Sequence, residues 1–160
     1  MPFSYKKYPK RKKNTVKGKR RKLEEMEWAD LRDILDRDFS YFIRMSEADD
    51  NGFVKCPTCG KILYWNETDC SHFIKRDIIA TRYDERNVIA QCHYENSFRD
   101  GNLHLMLPVL LERHGQEAVD ELKKLEDMCG KKRVFDNYQL IEKIKYYRLK
   151  NKELKKEKCL

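Results

Sequence analysis

Two cysteines two residues apart, Cys56-Pro57-Thr58-Cys59, followed at once by Gly60, limit this chain more than any other feature. A single tight turn then points both sulfurs at one ion, and the glycine lets the backbone curl round it. This is a zinc knuckle, and a tetrahedral site needs two further ligands. Cys92, which enters a helix-like stretch from a strand-like one, is the third. Repetition of the knuckle spacing puts the fourth at position 95, where a carboxylate, Glu95, stands; His93 and His104 are the alternatives. Cys70 reads as a small packed residue, and Cys129 and Cys159 as free thiols.

The remaining composition fits a reducing compartment in which cysteines bind metal rather than each other. The chain has 160 residues, the size of one domain with tails. It is 39% charged with a mean hydropathy of −0.90, and no apolar run suggests a membrane span or a signal peptide. A water-soluble cytoplasmic protein with no membrane partner is expected. The net charge of +8 is unevenly distributed. Residues 1–22 hold eleven Lys/Arg and no acid, residues 131–160 eleven against four acids, and residues 23–130 thirteen against twenty-three. Basic ends suit a polyanion whose counterions they displace. An acidic centre suits carboxylates that hold divalent cations.

Three segments follow. Residues 1–22 read as a disordered basic arm with interleaved Phe3, Tyr5 and Tyr8, and its Lys10, Arg11, Lys12, Lys13, Lys19, Arg20, Arg21 and Lys22 are the candidate DNA contacts. Residues 23–130 form the central domain. Here Trp28, Leu31, Ile34 and Leu35, then Phe39, Phe42, Ile43 and Met45, repeat at helical spacing. Asp49 to Gly52 is a turn, and short strand-like pieces occur at Phe53–Val54, Ile62–Trp65 and Val88–Ala90. Helical pattern returns from about Tyr94, again at Leu103–Arg113 with a stop at Gly115, and at Gln116–Met128; Pro108 should kink or end the second of these, or sit in its first turn. Residues 131–160 carry a basic helix, about Asn137 to Leu154, with Leu140, Ile144, Tyr147 and Leu154 in one stripe. Its outer face is a second candidate DNA surface. The fold class expected is α+β: a zinc-bound core of short strands with flanking helices.

Between the cysteines lies Asp69-Cys70-Ser71-His72-Phe73, then Asn87 at the start of Val88–Cys92, then Asn96 one helical turn beyond Cys92. Hydrolysis of a phosphodiester needs a base for the attacking water, a divalent cation for developing charge, and donors that hold both. A His, an Asp and two amide side chains supply those parts.

With Asp69-Cys70-Ser71-His72-Phe73-Ile74, the run Ala80 to Val88, Gln91-Cys92, Asn96 and Gly101-Asn102, the sequence resembles the Rap/NinG recombination nucleases of lambda-like bacteriophages over roughly residues 38–126. That family belongs to the HNH, or ββα-metal, class, so the resemblance implies a β-hairpin and helix clasping a catalytic ion, with a treble-clef-like zinc site. It implies a phage- or prophage-encoded endonuclease in the bacterial host, cutting branched DNA such as Holliday junctions and displacement loops. His72 would be the general base and Asn87 the residue that orients the hairpin. Asn96 and Asp69 would hold catalytic Mg²⁺ or Mn²⁺, a bulge turning Asp69 and His72 to the same side. Arg76 and Arg82 would be phosphate clamps, and a homodimer is an assembly the class uses. Two positions depart from the family pattern: Ser71 stands where it has Gly, and Glu95 where its second knuckle has Cys. The competing expectation is a zinc-ribbon DNA-binding protein or recombination accessory factor that cuts nothing.

Overall fold

The structure, a computed structural model, describes residues 21–158 and 160. The arm residues Lys10, Arg11, Lys12, Lys13, Lys19 and Arg20, and Cys159, lie outside the described residues. The architecture is mixed α+β, with two small antiparallel sheets among helices.

Helix α1 spans Trp28–Ser46, where the apolar spacing predicts it. Its last carbonyls, those of Met45 and Ser46, accept hydrogen bonds from Lys158 Nζ at 3.0 and 3.1 Å, a cation placed at the negative end of the helix dipole. Asp49 then accepts the N–H groups of Asn51 and Phe53 at 2.9 and 2.8 Å, which closes the turn. Gly52 sits at φ 82°, and a Cβ there would meet the Tyr64 ring at 2.5 Å. The turn therefore requires glycine.

Strands β1 (Phe53–Lys55) and β2 (Ile62–Tyr64) form a hairpin with Lys55 opposite Ile62. Its tip is the cysteine knuckle, tied by Cys56 N–H to the Lys61 carbonyl and Gly60 N–H to the Cys56 carbonyl, both 2.8 Å.

The second sheet pairs β3 (Thr68–His72) with β4 (Val88–Cys92), in continuous register from Thr68 opposite Cys92 to His72 opposite Val88. The link between them holds a single turn, α2 (Ile79–Arg82). All five residues of β4 are buried, because alternate side chains meet different partners. Val88 joins the core of α1, and Ile89 packs with Met106, Leu110 and Val119.

A widened π-type turn, Tyr94–Phe98, and a 3₁₀ turn, Asp100–Asn102, lead into α3 (Leu103–Cys129). Helix α3 runs through Pro108 and bends at Gly115, φ 80°. The stop expected at that glycine is thus a kink within one long element.

Helix α4, Asn137–Glu157, starts on a capping box in which Gln139 N–H donates to Asp136 Oδ1 and Asp136 N–H to Gln139 Oε1, at 2.8 and 2.9 Å. It packs along α1. Leu31, Leu35, Phe39 and Ile43 face Leu140, Ile141, Ile144 and Tyr147 in one core, each buried side chain contributing roughly 2 kcal/mol. Among the described residues no helix is long and apolar enough to cross a membrane.

Candidate functional site

The sulfurs of Cys56, Cys59 and Cys92 converge, all within 4.8 Å of one another. The hairpin tip brings the first two, and the end of β4 brings Cys92, whose Sγ is 3.7 Å from that of Cys59. Burial opposes ionisation of Cys56, but the Cys92 N–H, the Thr58 hydroxyl and the knuckle N–H groups outweigh it and lower that thiol below its ordinary range. Cys59 is exposed, yet partial desolvation of its sulfur, helped by the two neighbouring cysteines, pushes the thiol up to about 11. Neighbouring thiols that resist joint ionisation are those a soft cation would draw into one site. The three cysteines thus fit zinc.

The fourth ligand expected from the sequence is not with them. The Glu95 carboxylate is buried and accepts a hydrogen bond from Asn102 Nδ2, and neither His93 nor His104 joins the cysteines among the described residues. The physical cause is the π-type turn. It displaces position 95 from the place that a repeat of the knuckle would give it.

The uninterrupted register of β3 also removes the bulge expected between Asp69 and His72. Three residues apart on a regular strand, they face opposite sides. Asp69 shares its face with Ser71, and its Oδ2 accepts from Asn96 Nδ2 at 3.0 Å and from His93 Nδ1 at 2.8 Å. Ser97 Oγ lies 3.2 Å from the same His93 nitrogen. Asp69 and Asn96 therefore come together. His93 completes the group, although the sequence marks it only as an alternative zinc ligand. Strand register carries the missing signal: His93 follows Gln91, the partner of Asp69, by two residues and is its diagonal neighbour.

His72 lies on the α1 side, its ring centroid 6.5 Å from that of Phe39. Its Nε2 is 3.0 Å from the Arg82 carbonyl oxygen, which can only accept, so Nε2 carries the proton and Nδ1 keeps a lone pair. That Nδ1 is buried and has no partner among the described residues. Burial, against the opposing pull of the Arg82 carbonyl, drives the imidazole down to about 4. The ring is therefore neutral at neutral pH.

Asn87 is wholly buried. Its Oδ1 accepts from Ile74 N–H at 2.8 Å, while Nδ2 donates to the carbonyls of Ile74 and Thr81 at 3.1 and 3.0 Å. It thereby ties the end of the β3–β4 link to its start at Ile74 and to its middle at Thr81.

Both faces of β3 meet at the strand's edge away from β4. A cleft of about 260 Å³ there is lined by Cys70, Ser71, His72, Lys75, Arg76, Asn96, Asp100 and Gly101. Since side chains of a strand alternate, a hollow touching three successive residues wraps round the edge. Cys70, held up at about 12 by burial, is a packed thiol.

Arg82 is not free to clamp a phosphate. Its Nε and Nη2 grip Asp36 of α1 at 2.7 and 2.5 Å, its Nη1 donates to the Arg76 carbonyl, and Tyr83 OH donates to the same Asp36 at 2.9 Å. Burial raises the Asp36 carboxyl, but the Arg82 bonds overcome it and keep it below the ordinary range. Arg76 also reaches Asp36, at 3.0 Å, yet stays 56% exposed at the cleft. At the start of the described residues, Arg21 pairs with Asp30 at 2.9 Å, and Lys22 is exposed.

Over residues 4–157 the sequence matches the family described as the bacteriophage lambda NinG protein. The chain belongs to this family. It is 34% identical over 94 residues to protein ninG of Escherichia phage 933W, and 33% identical over 94 residues to those of Escherichia phage lambda and Salmonella phage P22. Each alignment covers 52% of this chain and 45% of the relative, so less than half the length of these NinG relatives is matched. No solved structure matches. In this chain position 95, where a repeat of the Cys56–Cys59 spacing after Cys92 would put a fourth ligand, holds a carboxylate that bonds Asn102 at the entrance of α3 instead.

Proposed function

We propose that this protein is an HNH-type, metal-dependent endonuclease that hydrolyses phosphodiester bonds in branched DNA. The observation that carries the reading is His72: a neutral imidazole oriented by a backbone carbonyl through Nε2, with an uncommitted Nδ1, on a hairpin that also presents the Asp69–Asn96 pair. A general base needs that arrangement, one nitrogen held and the other carrying a lone pair.

In this reading substrate bound in the cleft that His72 lines carries the attacking water to the buried Nδ1, which takes its proton. Lys75 and Arg76, at the mouth of the cleft, attract the phosphate, and Asn87 keeps the hairpin from drifting. Asp69 and Asn96 offer a carboxylate and an amide oxygen, a donor set suited to Mg²⁺ or Mn²⁺. Such an ion would neutralise charge developing on the phosphate and its leaving oxygen. Zinc at Cys56, Cys59 and Cys92 would brace the hairpin against the end of β4. Family membership supports a phage setting, and with it a DNA substrate from recombination.

A second reading, a DNA-binding protein that cuts nothing, draws on the opposite-face placement of Asp69 and His72. Incubation of a synthetic four-way junction with Mg²⁺ or Mn²⁺ separates the two. Scission by the wild type, and none by a His72→Ala variant that still binds the junction, is the expected result. Intact junctions with both proteins, despite binding, would leave only the binding module.

A further inference from the structure

The π-type turn that brings Asn96 to Asp69 also exposes two aromatic rings. Tyr94 is 59% and Phe98 72% exposed, and the rings stack on each other with centroids 5.9 Å apart and planes 25° from parallel. Residues four apart share a helix face, so the turn sets them side by side while the intervening Asn96 points elsewhere, into the cleft. His93 buttresses the pair edge-on against Phe98, centroids 5.9 Å apart and 89° between planes. Both rings stay largely in water and so add little to the buried core, and adjoining exposed aromatic surface beside a polar site suits binding.

The charge around the rings indicates the occupant. Arg99 follows Phe98 and is exposed, and Lys75 and Arg76 line the cleft that Asn96 enters. A flat apolar surface bordered by cations matches a nucleobase with its phosphate, where ring stacks on ring and phosphate meets the basic side chains.

We infer that Tyr94 and Phe98 form a stacking platform for an unpaired nucleobase of the bound DNA, and so select strands that are open or branched beside the cleft. This inference rests on the DNA reading above. A base inside a continuous duplex has both faces covered by its neighbours and cannot use the platform. At a branch point or in a single strand one face is free.

The test uses the full chain and its Tyr94→Ala/Phe98→Ala variant, with a continuous duplex, a single strand and a four-way junction carrying 2-aminopurine at the branch point. Since both rings are exposed, the variant should retain the wild-type circular dichroism and melting point. Affinity for the junction and the single strand is expected to fall about ten-fold or more on loss of base stacking, with duplex affinity unchanged. The 2-aminopurine quenching produced by the wild type should disappear. A Tyr94→Phe/Phe98→Tyr variant, which keeps both faces, should restore quenching and affinity. Equal losses on all three DNAs, or none on any, would overturn the platform while leaving DNA binding standing. A wild type that binds none of them would overturn both readings. Wild-type dimers that dissociate in the alanine variant, with unaltered DNA affinity, would reassign the rings to self-association.

Discussion

His72 and Asn87 show how far a single buried polar side chain can govern a hairpin. Asn87 makes three hydrogen bonds to the backbone of the β3–β4 link, all in a dry environment. Asn87→Ala leaves the N–H and the carbonyl of Ile74 without their partner and takes one donor from the Thr81 carbonyl, which keeps the Asp84 N–H, and each unmade buried bond is costly. Unfolding in urea should show a loss of about 2–4 kcal/mol, and a loss below 1 kcal/mol would mean that the link is held by other means. His72 ties stability to pH. Its folded value of about 4 lies below the ordinary 6.5, so between those two values the unfolded chain binds more protons. The contribution of the neutral ring is complete above pH 6.5 and is lost as pH falls towards 4. By linkage it amounts to about 3 kcal/mol. Melting temperature should therefore fall through that window, and a His72→Gln variant should follow a flatter curve; identical curves would refute the assignment.

At the scale of elements, the cysteine tip meets the β3–β4 hairpin along the end of β4, through the Cys92 N–H on Cys56 Sγ and through Gln91 Nε2, which donates to Thr58 Oγ1 at 2.9 Å. Cys59 is exposed, so Cys59→Ala should remove a sulfur from the cluster without opening the core. Elemental analysis should find one zinc per chain in the wild type and markedly less in the variant, with a lower melting temperature on chelation of the wild type alone. Zinc near zero in the wild type would dismiss the site. Much of this level was legible in the sequence. The helical spacing of Leu31, Leu35 and Phe39 marked α1, the stripe at Leu140, Ile144 and Tyr147 marked α4, and the Cys56–Cys59 spacing with Cys92 marked the sulfur cluster. Less legible was anything set by register or by irregular turns. Asp69 was separated from His72 by strand parity, and Glu95 was diverted to Asn102 by a widened turn whose residues carry no periodic signature. Arg82 looked like a phosphate clamp because its partner, Asp36, lies 46 residues away on α1.

Charge decides the behaviour of the whole molecule, and ion pairing determines which charges act outward. Many cations of the central region are engaged: Arg82 and Arg76 with Asp36, Arg86 with Asp84 and Glu121, and Arg113 with Glu47. Surface pairs on α4, Lys145 with Glu142 and Lys150 with Glu153, are weak in energy, but they also reduce the outward field of that helix. Residues 1–20 hold nine Lys/Arg and no acid, which makes them the largest uncompensated positive charge in the sequence. If they meet DNA phosphates they release counterions, and the logarithm of affinity must then fall steeply with the logarithm of salt. Deleting residues 1–20 should weaken binding to duplex and junction alike. It should also flatten that slope by roughly one unit for each phosphate the segment neutralises, with the junction-over-duplex preference preserved. The measurement is a salt titration of affinity for both DNAs with both proteins. An unchanged slope would place the phosphate contacts on Lys75, Arg76, Arg99 and the α4 face, and a lost preference would move shape selection from the aromatic turn to the first twenty residues.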